Sequence, residues 1–218
     1  RCVQCHAVAL PDARALPEPA FLGVGCESCH GPGSEHSAKP TLANIVNPAR
    51  LTPARSMDVC LSCHQAGKPN DLAFAWPVGY QPGDRLSDFW QLEEHKLGET
   101  TFTHFADGTA HKNRMQGNDF VQSLMYARGV TCASCHDVHG TSNPADLIKP
   151  AKQVCLTCHG PSSPNGPHAA SLEAHTHHAP DSTGSDCVEC HMPKTSAQIA
   201  NVNVRSHTFK FVTPSTTD

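Results

Sequence analysis

The chain has 218 residues, a net charge of −4 with neutral histidines, and 6% aromatic residues set against 18 prolines and 15 glycines. That composition is a poor recipe for a core made of side chains alone, and its charge excludes the basic footprint of a nucleic-acid binder. No run approaches the roughly 18 apolar residues of a membrane-spanning helix, and no secretory leader is visible.

All twelve cysteines fall in one repeated frame, Cys-x-x-Cys-His. In chain order the frames are Cys2/Cys5/His6, Cys26/Cys29/His30, Cys60/Cys63/His64, Cys132/Cys135/His136, Cys155/Cys158/His159 and Cys187/Cys190/His191, starting 24, 34, 72, 23 and 32 residues apart. Two groups of three thus flank a cysteine-free stretch, residues 65–131. The local sequences suggest a partial duplication. Gly23-Val-Gly-Cys-Glu-Ser-Cys-His30 matches Gly129-Val-Thr-Cys-Ala-Ser-Cys-His136, and Val59-Cys-Leu-Ser-Cys-His64 matches Val154-Cys-Leu-Thr-Cys-His159. Within the cysteine-free stretch, Leu86, Phe89, Trp90 and Leu97 have the spacing of a helix over 85–97. Met115, Phe120, Leu124 and Met125 predict another over 113–128, with Gly129 as its stop. Short helices are expected at the frames, ended by Gly31, Gly140 and Gly160, with loop chemistry in PDARALPEPA and GPSSPNGPH.

The frame is a c-type haem attachment signature: two thiols become thioethers on the porphyrin vinyls, and the adjoining histidine reaches the iron from the proximal side. Structural zinc would leave the histidine after every second cysteine unexplained. Disulfide scaffolds do not space cysteines this way, and a thioredoxin-like redox pair would occur once. Six frames imply six covalent haems c and their iron. Such flat apolar groups replace the missing core, so the expected fold is mainly α with extensive loop, organised by haem, with little or no sheet. The expectation is a single hexahaem domain over 1–218, divisible into lobes 1–64 and 129–218 joined by a haem-free helical segment, 65–128. The haem-free chain is expected not to fold. Because haem c is attached outside the cytoplasm, a periplasmic or extracellular protein is expected, with its leader removed. A start at Arg1-Cys2 suggests part of a longer protein.

What fills the sixth iron position separates a carrier from a catalyst. Ten histidines lie outside the frames. His139, three residues after His136, is too close to turn back onto the same iron and can reach a neighbouring one; His36, six residues after His30, is a similar case. His207 sits in a polar segment that has no other need of it. From the cluster His175, His177 and His178, the i, i+3 pair His175 and His178 are the first choices, with His177 nearer propionates or solvent. His111 completes the candidate ligands, while His95, His104 and His168 read as exposed polar residues. Met192 is too close to His191 to serve that iron, Met115 and Met125 belong to a core stripe, and Met57 is a weak candidate. Bis-histidine ligation and low potentials follow. Arg128, Lys194, Arg205 and Lys210 are candidate propionate partners.

Cys26-Glu-Ser-Cys-His-Gly-Pro-Gly-Ser-Glu-His36, the stretch Gly129 to His139, Cys187-Val-Glu-Cys-His-Met-Pro193 and Arg205-Ser-His-Thr-Phe209 resemble the multihaem cytochromes of the superfamily that includes pentahaem nitrite reductase and hydroxylamine oxidoreductase, in its uncharacterised branch. The resemblance covers most of 20–212. It implies helices and loops around stacked haem pairs, distal roles for His36, His139 and His207, and a further frame downstream. Two departures weigh against the catalytic branches. Every frame here ends in histidine where nitrite reductases carry one lysine, and only Tyr80 and Tyr126 are available for the tyrosine crosslink of hydroxylamine oxidation. The leading expectation is therefore an electron carrier with redox protein donors and acceptors. The alternatives are reduction of small nitrogen or sulfur oxyanions at a five-coordinate haem, or self-association as a subunit of an extracellular filament that exchanges ligands between copies. A haem-bearing sensor would instead need haems too far apart for fast exchange.

Overall fold

The structure, a computed structural model, describes residues 5–7, 19–70, 76–166, 169–196 and 203–210. Cys2 and His168 lie outside the described residues. Packing divides the chain into two compact units, Arg1–Asn118 and Asp119–Asp218, and by sequence each carries three frames.

In the first unit, α1 (Glu27–His30) and α2 (Ser34–Ala38) are single turns separated by Gly31, whose φ of 72° ends α1. Helix α3 (Pro53–Leu61) starts on Thr52, whose hydroxyl accepts from the Arg55 amide, with Pro53 at the first helical position where its fixed φ suits the helix. Its inner face buries Met57 and Leu61, one helical turn apart, along with Ser56 and Val59. Leu86, Trp90, Ala66, Ala110 and Met115 are also buried in this unit. Strand β1 (Gly67–Pro69) pairs antiparallel with β2 (Trp90–Leu92). The helix expected over 85–97 is thus replaced by a 3-10 turn, Leu86–Asp88, running into β2. Leu86 and Trp90 are buried as the periodicity requires, but backbone pairing with 67–69 wins over local propensity. Gly67 permits it: a Cβ there would come within 2.3 Å of the Trp90 indole nitrogen and 2.2 Å of the Gln91 carbonyl. Trp90 Nε1 donates to Gln65 Oε1 at 2.7 Å, and Asn118 brackets the Ala66 backbone by accepting from its amide and donating to its carbonyl.

The helix expected over 113–128 is two pieces, α4 (Gln116–Phe120) and α5 (Leu124–Ala127). Ser123 breaks it, adopting extended φ/ψ and capping α5 by accepting from the Tyr126 amide. Met115 and Phe120 are buried as expected, whereas Leu124 is 82% exposed.

The second unit holds α6 (Ala151–His159), α7 (Leu172–Thr176), α8 (Cys187–His191) and the hairpin β3 (Lys194–Ser196) with β4 (Asn203–Arg205). Among its described residues Phe120 is the only buried apolar side chain; Asp119, Ser123, Ser185, Ser206 and Thr208 are buried polar ones. Helix-and-loop architecture with two three-residue strand pairs matches the expected class. No helix among the described residues is long and apolar enough to cross a membrane.

Candidate functional site

Each described frame puts its sulfurs and histidine on a short helical turn or at its end. Cys155, Cys158 and His159 all lie on α6, Cys187, Cys190 and His191 all lie on α8, and α3 delivers Cys60 one turn before Cys63 and His64. The fourth frame is a 3-10 turn, Cys132–Ser134, with Thr131 and Ser134 forming a reciprocal capping box. The end of the first frame is clipped ahead of the second, where the His6 carbonyl accepts from the Gly23 amide at 2.7 Å.

Three frame histidines share one device. His30 Nδ1 donates to the Val46 carbonyl at 2.6 Å, His136 Nδ1 to the Ala145 carbonyl at 2.8 Å, and His159 Nδ1 to the Asn165 carbonyl at 2.5 Å. His64 Nδ1 faces Gln116 Oε1 at 3.4 Å. A metal-bound imidazole is normally held this way, with one nitrogen tied to an acceptor so that the other keeps its lone pair for the metal. Gly117 brings α4 against the third frame: its amide donates to the His64 carbonyl, and a Cβ would come within 2.2 Å of Leu61 Cδ2.

Sulfurs of different frames converge. In the first unit the Cys63 thiol hydrogen-bonds Cys5, which together with burial pushes its pKa up. Burial and the nearby Cys60 and Cys63 push Cys29 up. In the second unit the Cys155 thiol hydrogen-bonds Cys187, lowering the pKa of Cys187 and pushing that of Cys155 up, while burial and Cys158 raise Cys135. The two sulfurs of the sixth frame are placed unequally. Cys187 is half-buried against Cys155, whereas Cys190, expected with it to anchor a haem within the core, is exposed on α8. Three residues of helix bring it to within about 60° of Cys187, so the two sulfurs share a face of α8 and differ in what each meets. Cys26 and Cys158 are exposed in the same way, so the second, fifth and sixth frames each have one half-buried and one exposed sulfur. Lys152 Nζ donates to the Pro180 carbonyl and to Ser185 Oγ, fastening α6 to the turn that leads into α8.

Two non-frame histidines face frame histidines. His175 on α7 stands opposite His191 with ring centroids 6.2 Å apart and planes within 4°, and His207 stands opposite His136 at 6.4 Å and 27°. Burial, then His175 and His159, push the His191 pKa below the usual histidine value, which favours the neutral, ligating form. His207 Nδ1 donates to the Arg205 carbonyl at 2.9 Å, and the His207 amide and Ser206 hydroxyl both donate to buried Asp119. Arg205 itself donates to the Val188 and Met192 carbonyls at the end of α8 and pairs with Glu189. Its guanidinium closes a helix end rather than facing solvent, a role the sequence did not suggest.

The other candidates are placed differently. His36 on α2 is held by Asn44 Oδ1 at 3.0 Å, and His139 by Asp137 Oδ1 at 3.1 Å in an exposed turn. Helix α7 stops at Thr176, and His177 takes the left-handed cap, so His178 does not share a helical face with His175. Its ring packs on Gly184, where a Cβ would fall 2.5 Å from Cγ. His111 spends Nε2 on the Thr101 carbonyl at 3.1 Å. His104, read from the sequence as an exposed polar residue, is fully buried. Met57 and Met115 are buried in the first unit. Lys210 Nζ faces Gln122 Oε1, and Arg128 and Lys194 are exposed.

The donor set suits a porphyrin carried on two thioethers. Thiols lie one turn apart beside an imidazole whose Nδ1 is occupied, and apolar side chains such as Val24 and Val138 stand exposed next to the frames, where a flat apolar group would cover them. Among the described residues no three His, Cys, Asp or Glu side chains converge to hold a bare ion.

Comparison with known proteins gives matches to two families, one described as Doubled CXXCH motif over residues 125–163 and one as Cytochrome c554 and c-prime over 1–31. Multiheme cytochrome MtrA of Shewanella baltica (strain OS185) is 24% identical over 147 residues, which is 64% of this chain and 43% of that protein. The crystal structure of Outer Cell Wall Cytochrome OcwA aligns with 98% of this chain and 56% of its own, with a TM-score of 0.67 and 22% identity, a likeness of fold. The chain spans about half the length of these relatives.

Proposed function

We propose that this multihaem c-type cytochrome is an electron-transfer protein carrying six covalent haems, most of them gripped by two histidines. The observation that carries the reading is the pairing of His175 with His191 and of His207 with His136. Two imidazoles bound from opposite sides to one metal, at bonds of about 2.0 Å, hold their ring centroids roughly 6.3 Å apart. The two pairs stand at 6.2 and 6.4 Å. Ordinary aromatic pairs overlap this range, but here one member of each pair is a frame histidine.

The bound haem supplies an iron that cycles between ferric and ferrous. The chain supplies the rest. Paired imidazoles would keep coordination unchanged on transfer, Nδ1 partners fix the rings of His136 and His207, and the meeting of Cys5 with Cys63 and of Cys155 with Cys187 brings attachment points of different frames together, as close spacing requires. Bis-histidine ligation favours low potentials relative to methionine ligation. The kinship with the nitrite reductase and hydroxylamine oxidoreductase superfamily belongs to the same proposal and rests on the motifs quoted above. So do the donor and acceptor proteins, self-association, and a periplasmic or extracellular location. The last draws support from the outer-cell-wall designation of OcwA.

The test is a pyridine haemochrome determination together with electron paramagnetic resonance of the oxidised, matured protein. Six haems per chain with predominantly low-spin signals are expected. Rapid binding of nitrite, cyanide or carbon monoxide at a high-spin haem would instead favour reduction of small oxyanions.

A further inference from the structure

We propose that Arg205 is a positioning residue shared by two irons, its side chain holding the helix end that presents His191 and its main chain holding the ring of His207. This rests on the ligand pairing proposed above and names the residue that ties the two pairs together.

The elements that carry these ligands are too short to stand alone. Helix α8 is five residues long and ends on His191, and so short a helix gains little from its own hydrogen bonds. The hairpin that leads into His207 pairs three residues with three, Lys194 opposite Arg205, and a two-stranded ribbon is marginal in water. Arg205 joins the two. Its Nη1 donates at 3.0 Å to the Val188 carbonyl within α8 and at 3.0 Å to the Met192 carbonyl just past its end, while Nη2 pairs with Glu189 on the same helix. Carbonyls at the end of a helix need donors from outside it, and the guanidinium presents its donors in a rigid planar fork that can meet several acceptors together. The side chain is 27% exposed, so water competes for these donors less than at an open surface.

The main chain of the same residue works on the other pair. The Arg205 carbonyl accepts from His207 Nδ1 at 2.9 Å, and the next amide, that of Ser206, donates to the Pro193 carbonyl at 2.9 Å. An acceptor on one imidazole nitrogen sets the orientation in which the other meets a metal. His191 faces His175, and His207 faces His136. One residue therefore anchors the element under the proximal imidazole of the sixth frame and fixes the rotation of the distal imidazole proposed for the fourth. Loss of the fork frees the end of α8 and, with it, the strand that carries the acceptor of His207.

The experiment uses the full, haem-loaded chain. His175→Ala and His207→Ala first mark the two haems, each turning one low-spin haem high-spin in the oxidised resonance spectrum. If neither does, the ligand pairing fails and this proposal falls with it. With both haems marked, Arg205→Ala should remove part of the low-spin intensity of those two, open both to carbon monoxide on reduction, and leave every other haem unchanged. Arg205→Lys keeps the charge without the fork and should behave as the alanine variant does. A change at only one marked haem, or at neither, overturns the shared role while leaving the pairing intact. Full recovery in Arg205→Lys also overturns it, because charge and not position would then be at work. Should the Arg205 variants not mature, Glu189→Gln, which weakens one arm of the fork, decides on the same two signals: no change at either haem overturns the proposal.

Discussion

The two units spend their side chains differently. The first has an apolar core of its own, with Met57, Val59 and Leu61 of α3 and Leu86, Trp90, Ala110 and Met115 buried around a strand pair. The second carries as many frames yet buries one apolar side chain among its described residues, together with serines, a threonine and an aspartate. Frames of the same sequence can therefore stand on a conventional core or do almost without one, and the second arrangement leaves the porphyrins to supply the apolar surface. The contrast repeats at finer scale. Asn47-Pro48-Ala49 and Asn143-Pro144-Ala145 begin matching 3-10 turns, each ahead of a proline-led frame helix. His30 reaches its carbonyl across 16 residues and His136 across nine. The shorter span places both Ala145 and Asp146 in left-handed conformation, at φ of 56° and 51°. The longer one needs no such residue.

Withholding haem attachment should separate the units most. By hydrogen exchange or limited proteolysis, residues 119–218 are expected to lose all protection, while a remnant around Met57, Trp90 and Met115 keeps some. Equal loss in both would break the contrast. Next in size, Trp90→Ala should cost about 3–5 kcal/mol, read as loss of protection in the first unit, with resonance signals of the second-unit haems unaltered. A smaller effect, confined to the second unit, is expected of Asp119→Ala. It leaves the Ser206 hydroxyl and His207 amide without a buried acceptor, a loss of roughly 1–3 kcal/mol, and the His207 ring should wander enough to give a detectable high-spin fraction. The smallest effects have opposite signs at matched positions. Ala145→Gly should stabilise by about 0.5–1 kcal/mol, because a left-handed alanine costs roughly 1–2 and glycine gives back part as chain entropy, whereas Ala49→Gly should destabilise by about 0.5–1. Denaturant midpoints of the matured protein measure both, and like signs would remove the strain argument.

Much of this was readable beforehand. Covalent attachment needs its residues adjacent in sequence, so the frames and the helical turns under them were legible from spacing. Which sulfur of a frame sits inward was not legible: Cys187 and Cys190 belong to identical signatures, and only the approach of α6 to α8 distinguishes them. The helix over 85–97 was misread because period-four burial of Leu86 and Trp90 is equally met by a turn running into a strand, and only the tertiary partner at Gly67–Pro69 chooses. Single histidines carried no frame to mark them. His104 and His111 differ not in spacing but in which nitrogen the fold occupies, and that depends on groups at Thr101 and Thr103. Arg205 likewise gave no sign that it would close α8, since its acceptors are main-chain carbonyls.

The facing of His136 by His207 also sets a schedule. On the proposed pairing, the fourth frame is synthesised long before the imidazole that completes it, 71 residues downstream. The sixth frame emerges after its partner His175. During maturation an iron held by the fourth frame would wait with an open side and one held by the sixth would not, so oxidants or small ligands would find the first and miss the second.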